Sequence, residues 1–168
     1  MGDVHIGEDT GFWFGCVARG DVHSIRIGSR TNIQDGTIIH VTRNTAPTFI
    51  GDGVTIGHCA LIHGATLEDG CFVGMRATIM DGAVVESGAW VAAGALVTPG
   101  KRIPKGQVWA GSPARFFRDM TPEEVAYISY TSGTTSFSKG VMIPYCSLWS
   151  NMMFAHANMP LKPEDSHV

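Results

Sequence analysis

Aliphatic or aromatic side chains recur at every sixth position along most of the chain. Within the stretch from Ile50 to Gly64, isoleucines stand at positions 50, 56 and 62, and glycines follow the first two. A period of six fits neither the 3.6-residue repeat of a helix nor the alternation of a strand. It is typical of a hexapeptide solenoid, in which each repeat is one short strand and a turn, and three repeats close a triangular coil. The pattern covers positions 6 and 12; 27, 33 and 39; 50, 56 and 62; and 73, 79, 85, 91 and 97.

This period predicts an all-β fold, a parallel β-helix over residues 1–120. Equivalent strands of successive coils should lie about 4.8 Å apart, with the aliphatic column pointing inward as the core. The phase breaks between positions 39 and 50, which predicts a loop over Arg43–Pro47, and the repeat fades after Val97. Thr121, Pro122 and Glu124 form a helix-start signal, with an N-cap, a first-turn proline and a capping box. A C-terminal helix should therefore begin at Pro122 within residues 121–129.

Composition narrows the class of protein. The 168 residues suffice for one domain with a sizeable core, and the net charge of −3 gives no electrostatic case for nucleic acid or an anionic membrane. The four cysteines form no CxxC pair, so we expect reduced thiols. Neither a signal peptide nor an apolar run of about 20 residues is present. These features predict a soluble, cytoplasmic protein.

Three of the seven histidines stand out when the repeat is used as a ruler. His40 follows Ile39 and His63 follows Ile62, so both should lie on one wall of the solenoid, one coil apart, and could share one ion. His58 lies near a corner and cannot easily reach that ion within one chain, although a neighbouring subunit in a symmetric ring could supply it. Three neutral imidazoles and one open position describe a catalytic zinc site, which lowers the pKa of bound water to about 7.

Several motifs occur together along the chain: Arg19-Gly20-Asp21-Val22, Thr31-Asn32-Ile33-Gln34-Asp35-Gly36, His40, Thr55-Ile56-Gly57-His58, His63-Gly64 and Gly111-Ser112-Pro113-Ala114. Together they resemble the gamma-class carbonic anhydrase family over about residues 2–128. The resemblance implies a left-handed parallel β-helix that forms a homotrimer with zinc (or iron) between subunits, and reversible hydration of carbon dioxide to bicarbonate by metal-bound hydroxide.

The same resemblance assigns roles to six residues. It implies that His40 and His63 of one subunit and His58 of the next bind the metal. It implies that Gln34 hydrogen-bonds the metal-bound hydroxide. Arg19 and Asp21 are implied to form an ion pair at the subunit contact.

The proton-shuttling glutamates of the better-studied members have no counterpart here. Val22 follows the Arg-Gly-Asp motif, and the loop after His40 reads Thr42-Arg43-Asn44-Thr45-Ala46-Pro47, without an acidic side chain. The regeneration of hydroxide is therefore expected to limit turnover.

Residues 130–168 do not continue the period. Tyr130–Val141 resembles the phosphate loop of adenylate-forming acyl-CoA ligases, with Lys139 as its lysine. About forty residues are too few for an independent ligase domain, so we interpret this tail as a ligase fragment, a chimeric C-terminus.

Two other function classes remain open at this point. A hexapeptide-repeat acyltransferase would use one histidine as base against a CoA thioester, and a non-catalytic trimeric scaffold subunit would use none. Bound acetyl-CoA would indicate the first of these, and bound metal without hydratase activity the second.

Overall fold

The computed structural model describes residues 1–124, which form an all-β parallel solenoid of about six turns. Its short strands follow one another around three walls, so that three strands complete a coil. In chain order the strands are β1 (Gly2–Ile6), β2 (Gly11–Phe12), β3 (Val17–Ala18), β4 (Gly20–Ile27), β5 (Asn32–Ile33), β6 (Ile38–His40), β7 (Thr48–Ile50), β8 (Thr55–Ile56), β9 (Leu61–His63), β10 (Thr66–Leu67), β11 (Phe72–Val73), β12 (Thr78–Ile79), β13 (Val84–Val85), β14 (Trp90–Val91), β15 (Leu96–Val97), β16 (Arg102–Ile103), β17 (Gln107–Ala110) and β18 (Arg115–Asp119).

The walls are three sheets, and each pairs equivalent strands of successive coils. Wall A has the order β1-β4-β7-β10-β13-β16, wall B has β2-β5-β8-β11-β14-β17 followed by β18, and wall C has β3-β6-β9-β12-β15. Every pair is parallel except β17 with β18, which is antiparallel. The predicted fold class is confirmed.

The core is the column of aliphatic side chains that the period of six predicts. Ile33, Ile56 and Val73 are fully buried and stack in register on wall B. Burying each aliphatic side chain of this size contributes about 1.5–3 kcal/mol relative to leaving it exposed. The column along the coils consists of Ile27, Ile33, Ile39, Ile50, Ile56, Ile62, Leu67, Val73, Ile79, Val85, Val91, Val97 and Ile103.

The structure corrects the predicted end of the repeat. Ile103 pairs with Val85 and Trp109 with Val91, so the inward column continues for two more strands, and the expectation that it fades after Val97 was wrong. The hairpin partner β18 was not predicted either. Leu67 also joins the column, only five residues after Ile62, because the turn at Gly64 is one residue shorter than the others.

The loop predicted between positions 39 and 50 is present. Strand β6 ends at His40 and β7 begins at Thr48. An antiparallel bridge between Thr42 and Ala46 closes the connection. The extra residues leave wall C directly after His40, the first of the predicted metal ligands.

Side-chain carboxylates hold the corners between walls A and B. Asp69 accepts a hydrogen bond from the backbone N–H of Asp52, and Glu86 accepts one from Lys105. This contact and the neighbouring Arg102 guanidinium lower the pKa of Glu86. Backbone amides that the turns would leave unpaired are thus satisfied by the adjacent coil.

The predicted helix start is confirmed. Residues 122–124 are helical, and Thr121 and Glu124 form a reciprocal capping box, in which each backbone N–H is hydrogen-bonded by the other residue's side chain. The remainder of the predicted helix and the tail at 130–168 lie outside the described residues. Within residues 1–124, no helix has the length and apolarity needed to cross a bilayer.

Candidate metal centre

His40 and His63 stand directly opposite each other on neighbouring strands of wall C. They are register partners in the parallel pair β6–β9, immediately after the buried Ile39 and Ile62. Both imidazoles point outward, and Nδ1 of His40 lies 3.1 Å from Nε2 of His63. The spacing of the repeat predicted this pairing on one wall.

The far nitrogen of each imidazole contacts a carboxylate. Nε2 of His40 lies 3.0 Å from Oδ1 of Asp21, and Nδ1 of His63 lies 2.5 Å from Oδ1 of Asp81. An ionised carboxylate can only accept, so these nitrogens carry the protons and donate. When both imidazoles are neutral, the two nitrogens that face each other are therefore their lone-pair nitrogens.

Both carboxyl groups are held in the ionised form. The pKa of Asp21 is lowered mainly by its hydrogen bond with His40 and, to a smaller extent, by its hydrogen bond with Arg19. Burial acts to raise the pKa of Asp81, but hydrogen bonds from Thr42 and His63 outweigh it, and the net shift is downward.

Arg19 supplies a positive charge at the His40 nitrogen that faces His63. Its Nη1 pairs with Oδ2 of Asp21 at 2.5 Å, and its Nη2 lies 3.3 Å from Nδ1 of His40. A guanidinium has no acceptor, so it must donate to a lone pair on that nitrogen. The predicted Arg19–Asp21 ion pair is thus present within the chain, and its location at a subunit contact stays a prediction.

The donor set fits a divalent zinc-type cation. Two imidazole nitrogens bound to one tetrahedral zinc at 2.0–2.1 Å are about 3.3 Å apart, close to the observed 3.1 Å between His40 and His63. At that distance the two nitrogens share either a proton or a metal cation, since two bare lone pairs would repel each other. A histidine ligand whose other nitrogen donates to a carboxylate is the usual arrangement at metal sites.

His58 lies apart from this pair, at the corner after β8. Its Nδ1 contacts Oδ2 of Asp35 at 3.1 Å, which leaves Nε2 as its lone-pair nitrogen, and its side chain is 48% exposed. Within residues 1–124 of a single chain, no three His, Cys, Asp or Glu side chains converge as a metal site. All three histidines nevertheless share one arrangement, in which one ring nitrogen contacts an aspartate.

Gln34 follows the buried Ile33 at the same corner. Its side-chain amide makes no hydrogen bond to any other residue of the described range 1–124. Two residues earlier, Asn32 accepts a hydrogen bond from Trp13 Nε1, while its own Nδ2 is buried without a partner there. Two amides at this corner thus have unused hydrogen-bonding capacity.

Sequence reasoning missed two of the three aspartates that contact the histidines. Asp35 stands one coil before His58, as the pairing of Ile33 with Ile56 shows. Asp81 stands one coil after Gly64, since Ile62 pairs with Ile79. Counting by coils, which placed the histidines, also places Asp35 and Asp81 when it is applied to acidic residues.

An apolar ladder runs beside the histidine pair on wall C. Val17, Ile38 and Leu61 are register partners on β3, β6 and β9. Val17 and Ile38 are each 46% exposed. Exposed aliphatic side chains in a row are typical of a surface that meets another protein.

The chain is similar to curated proteins named as gamma carbonic anhydrases. It is 48% identical over 168 residues to gamma carbonic anhydrase 1, mitochondrial, of Arabidopsis thaliana, covering 97% of this chain and 56% of that protein. It is 53% identical over 128 residues to a probable carbonic anhydrase of Methanocaldococcus jannaschii, covering 76% of this chain and 80% of that one. The chain spans about half the length of its Arabidopsis relatives.

Family models and a solved structure match different parts of the chain. The hexapeptide repeat of succinyl-transferase matches residues 47–75, and the AMP-binding enzyme model matches residues 74–168. The second match confirms the ligase resemblance of the tail and extends it back into the solenoid. A hexapeptide transferase family protein from Anaplasma phagocytophilum has a TM-score of 0.73 at 47% identity, covering 78% of this chain and 76% of that one. The AMP-binding match over the later segment is a separate finding. By its curated relatives and its solenoid fold, the chain belongs to the gamma carbonic anhydrase family.

Proposed function

We propose that this chain is a metal-dependent hydratase of carbon dioxide that works as a homotrimer with the metal between subunits. The observation that carries the proposal is the facing pair of ring nitrogens on His40 and His63, 3.1 Å apart, with a carboxylate on the other nitrogen of each imidazole. The substrate comes from the relatives, several of which are named as carbonic anhydrases.

His40 and His63 would hold the ion from one subunit, and His58 of the neighbouring subunit would complete the set. An exposed corner histidine that already donates one N–H to Asp35 is suited to this task. The Val17–Ile38–Leu61 ladder beside the pair offers the apolar contact by which the neighbour would pack. Zinc or iron is accommodated by imidazole ligands of this kind. The bound ion supplies Lewis acidity, which makes a water molecule acidic near neutral pH.

The other residues of the site orient groups and carry charge. The free amide of Gln34 would hydrogen-bond an oxygen of the reacting water or of bicarbonate. Arg19, anchored by Asp21, would withdraw from His40 when the ion binds and leave a positive charge near the anionic product. Asp21 and Asp35 would keep His40 and His58 in the tautomers that the ion requires.

Complementation between two variants tests the shared site. His58→Ala and His63→Ala each destroy every site in their own homotrimers. In a mixed trimer, one interface joins an intact His40–His63 pair to an intact His58, so about one ion per trimer should return. We expect metal analysis and stopped-flow hydration of carbon dioxide to show no activity for either variant alone and about one third of wild-type activity for isolated mixed trimers.

Two results would contradict the proposal. Wild-type protein that takes up no metal would remove the site, and mixed trimers that stay metal-free would place the third ligand elsewhere. Bound metal without hydration would leave the scaffold function in place of the enzyme.

The second candidate is an acyltransferase. It is favoured by the match to the solved structure described as a hexapeptide transferase family protein. A base in such an enzyme needs one histidine, so the second imidazole that faces it is left unexplained. Calorimetric titration with acetyl-CoA separates the two, since specific binding to the metal-free trimer would favour the transferase.

A further inference from the structure

We propose that Thr42 and Asp81 form a positioning relay that fixes the tautomer of His63 and thereby links the loop after β6 to the metal site. The proposal rests on the proposed function, because it concerns one of the histidines of that site. Neither residue belongs to the ligand set, and neither would touch the substrate.

The relay consists of two hydrogen bonds through one carboxylate. Asp81 Oδ1 accepts the proton of His63 Nδ1, and Asp81 Oδ2 accepts the hydroxyl proton of Thr42, each at 2.5 Å. Both carboxylate oxygens are therefore committed, and the carboxylate plane is fixed relative to the imidazole. Only the tautomer with the proton on Nδ1 satisfies Asp81, and it directs the lone pair of Nε2 towards His40.

The local backbone makes room for this contact. Asp81 lies one coil after Gly64, the residue that follows His63. A Cβ on Gly64 would meet Asp81 Oδ1 at 2.8 Å and the Cβ of Ala46 at 2.7 Å. The missing side chain thus allows Asp81 to reach across to His63 and the loop to fold against it.

Two backbone hydrogen bonds within the loop hold Thr42 in place. Its backbone N–H donates to Ala46 O at 3.0 Å, and its carbonyl accepts from Ala46 N at 3.2 Å. The hydroxyl therefore stands at a fixed place on the closed loop. Because Asp81 is on a later coil, the contact joins the loop, the ligand strand and the following turn.

Loss of the relay should free the imidazole of His63. Without Asp81, the proton can move to Nε2, where it blocks the nitrogen that the ion needs. Loss of such an outer carboxylate typically weakens metal binding about 10- to 100-fold. Loss of the Thr42 hydroxyl removes only the anchor, so its effect should be smaller and in the same direction.

The test compares Asp81→Ala, Thr42→Val and Thr42→Ser in the full chain. Long-range ¹H–¹⁵N correlation on the metal-free protein reports the tautomer of His63, and competition with a chromophoric chelator gives the affinity for Zn²⁺. We expect a single Nδ1–H tautomer in wild type and Thr42→Ser, and a mixture in Asp81→Ala with about 10- to 100-fold weaker zinc binding. Asp69→Asn is the matched control, since this turn aspartate binds the backbone of Asp52 and no histidine.

The outcomes separate the relay from the function on which it rests. An unchanged tautomer in Asp81→Ala, or equal losses of zinc affinity in Thr42→Val and Thr42→Ser, would overturn the relay even if the protein binds zinc tightly. A wild type that binds no zinc would overturn the proposed function, while the tautomer shift in Asp81→Ala would still support the relay.

Discussion

Ile38 lies directly opposite Leu61 on the neighbouring strand of wall C, two residues before the paired histidines. Since 46% of Ile38 is exposed in the single chain, its burial needs a partner surface. We predict that Ile38→Asp converts the proposed trimer to monomers, because a carboxylate buried without a partner costs far more than the apolar contact contributes. Sedimentation velocity would show the change in mass.

The matched control for this prediction is Phe49→Asp on wall A. Phe49 is 44% exposed, nearly as much as Ile38, but its wall carries neither histidine of the pair. The Phe49 variant should remain trimeric. If both variants dissociate, or neither does, the ladder on wall C is not the subunit interface.

Gly64→Ala should destabilise the protein more than Gly53→Ala. Both glycines have a positive φ, +56° and +63°, so an alanine costs about 1–2 kcal/mol of backbone strain at either site. At Gly53 the added Cβ would meet nothing within 4 Å, whereas at Gly64 it would crowd Ala46 and Asp81. Overpacking of this kind typically adds about 1–3 kcal/mol. Urea unfolding of the two variants measures the difference, and equal losses would mean that the close approach at Gly64 is relieved at no cost.

Glu86 predicts a dependence of stability on pH. The backbone N–H of Lys105 and the guanidinium of Arg102 lower the pKa of Glu86 below its ordinary value of 4.5. A carboxyl whose pKa is lower in the folded state stabilises fully above 4.5 and loses this contribution as the pH falls through the folded-state pKa. Glu86→Gln should therefore be less stable than wild type at pH 7, and the gap should close in acid. A gap that is constant from neutral pH to acid would contradict the assignment.

We predict that the proposed hydration of carbon dioxide depends on the buffer. The loop after His40 carries Arg43 as its charged residue and has no carboxylate between positions 41 and 47. We therefore expect protons to leave the site through solution, so that small bases such as imidazole raise kcat while leaving kcat/KM unchanged. Stopped-flow rates at increasing imidazole concentration and constant ionic strength measure this effect. A kcat that is independent of buffer would point to a proton shuttle within the protein.

The fold was predictable because one spacing repeats at nearly every coil. Ile33, Ile56 and Val73 occupy equivalent inward positions, and the short strands leave little room for another register. The prediction failed at Leu67, which follows a shorter turn. It also placed the end of the repeat too early, since Ile103 and Trp109 continue the spacing of six from Val97.

The site was predictable only as far as it follows the strands. His40 and His63 come directly after inward isoleucines, so counting by coils was enough to pair them. Asp81 and Thr42 contact each other across 39 residues, and their meeting depends on the space above Gly64 and the closed loop. Such contacts follow from turn geometry, which a hydrophobic period does not encode. The assignments of Gln34, His58 and the ion itself stay predictions.

A solenoid resembles a one-dimensional lattice, in which each coil is stabilised mainly by its two neighbours and opening starts at the ends. His40 closes the second coil and His63 the third, so an ion between the imidazoles would join these two coils directly. The hydrogen bond from His63 to Asp81 already links the third coil to the fourth. Removal of the ion with a chelator should then do more than abolish activity. It should allow the backbone amides of the first two coils to exchange their hydrogens separately from those of the later coils.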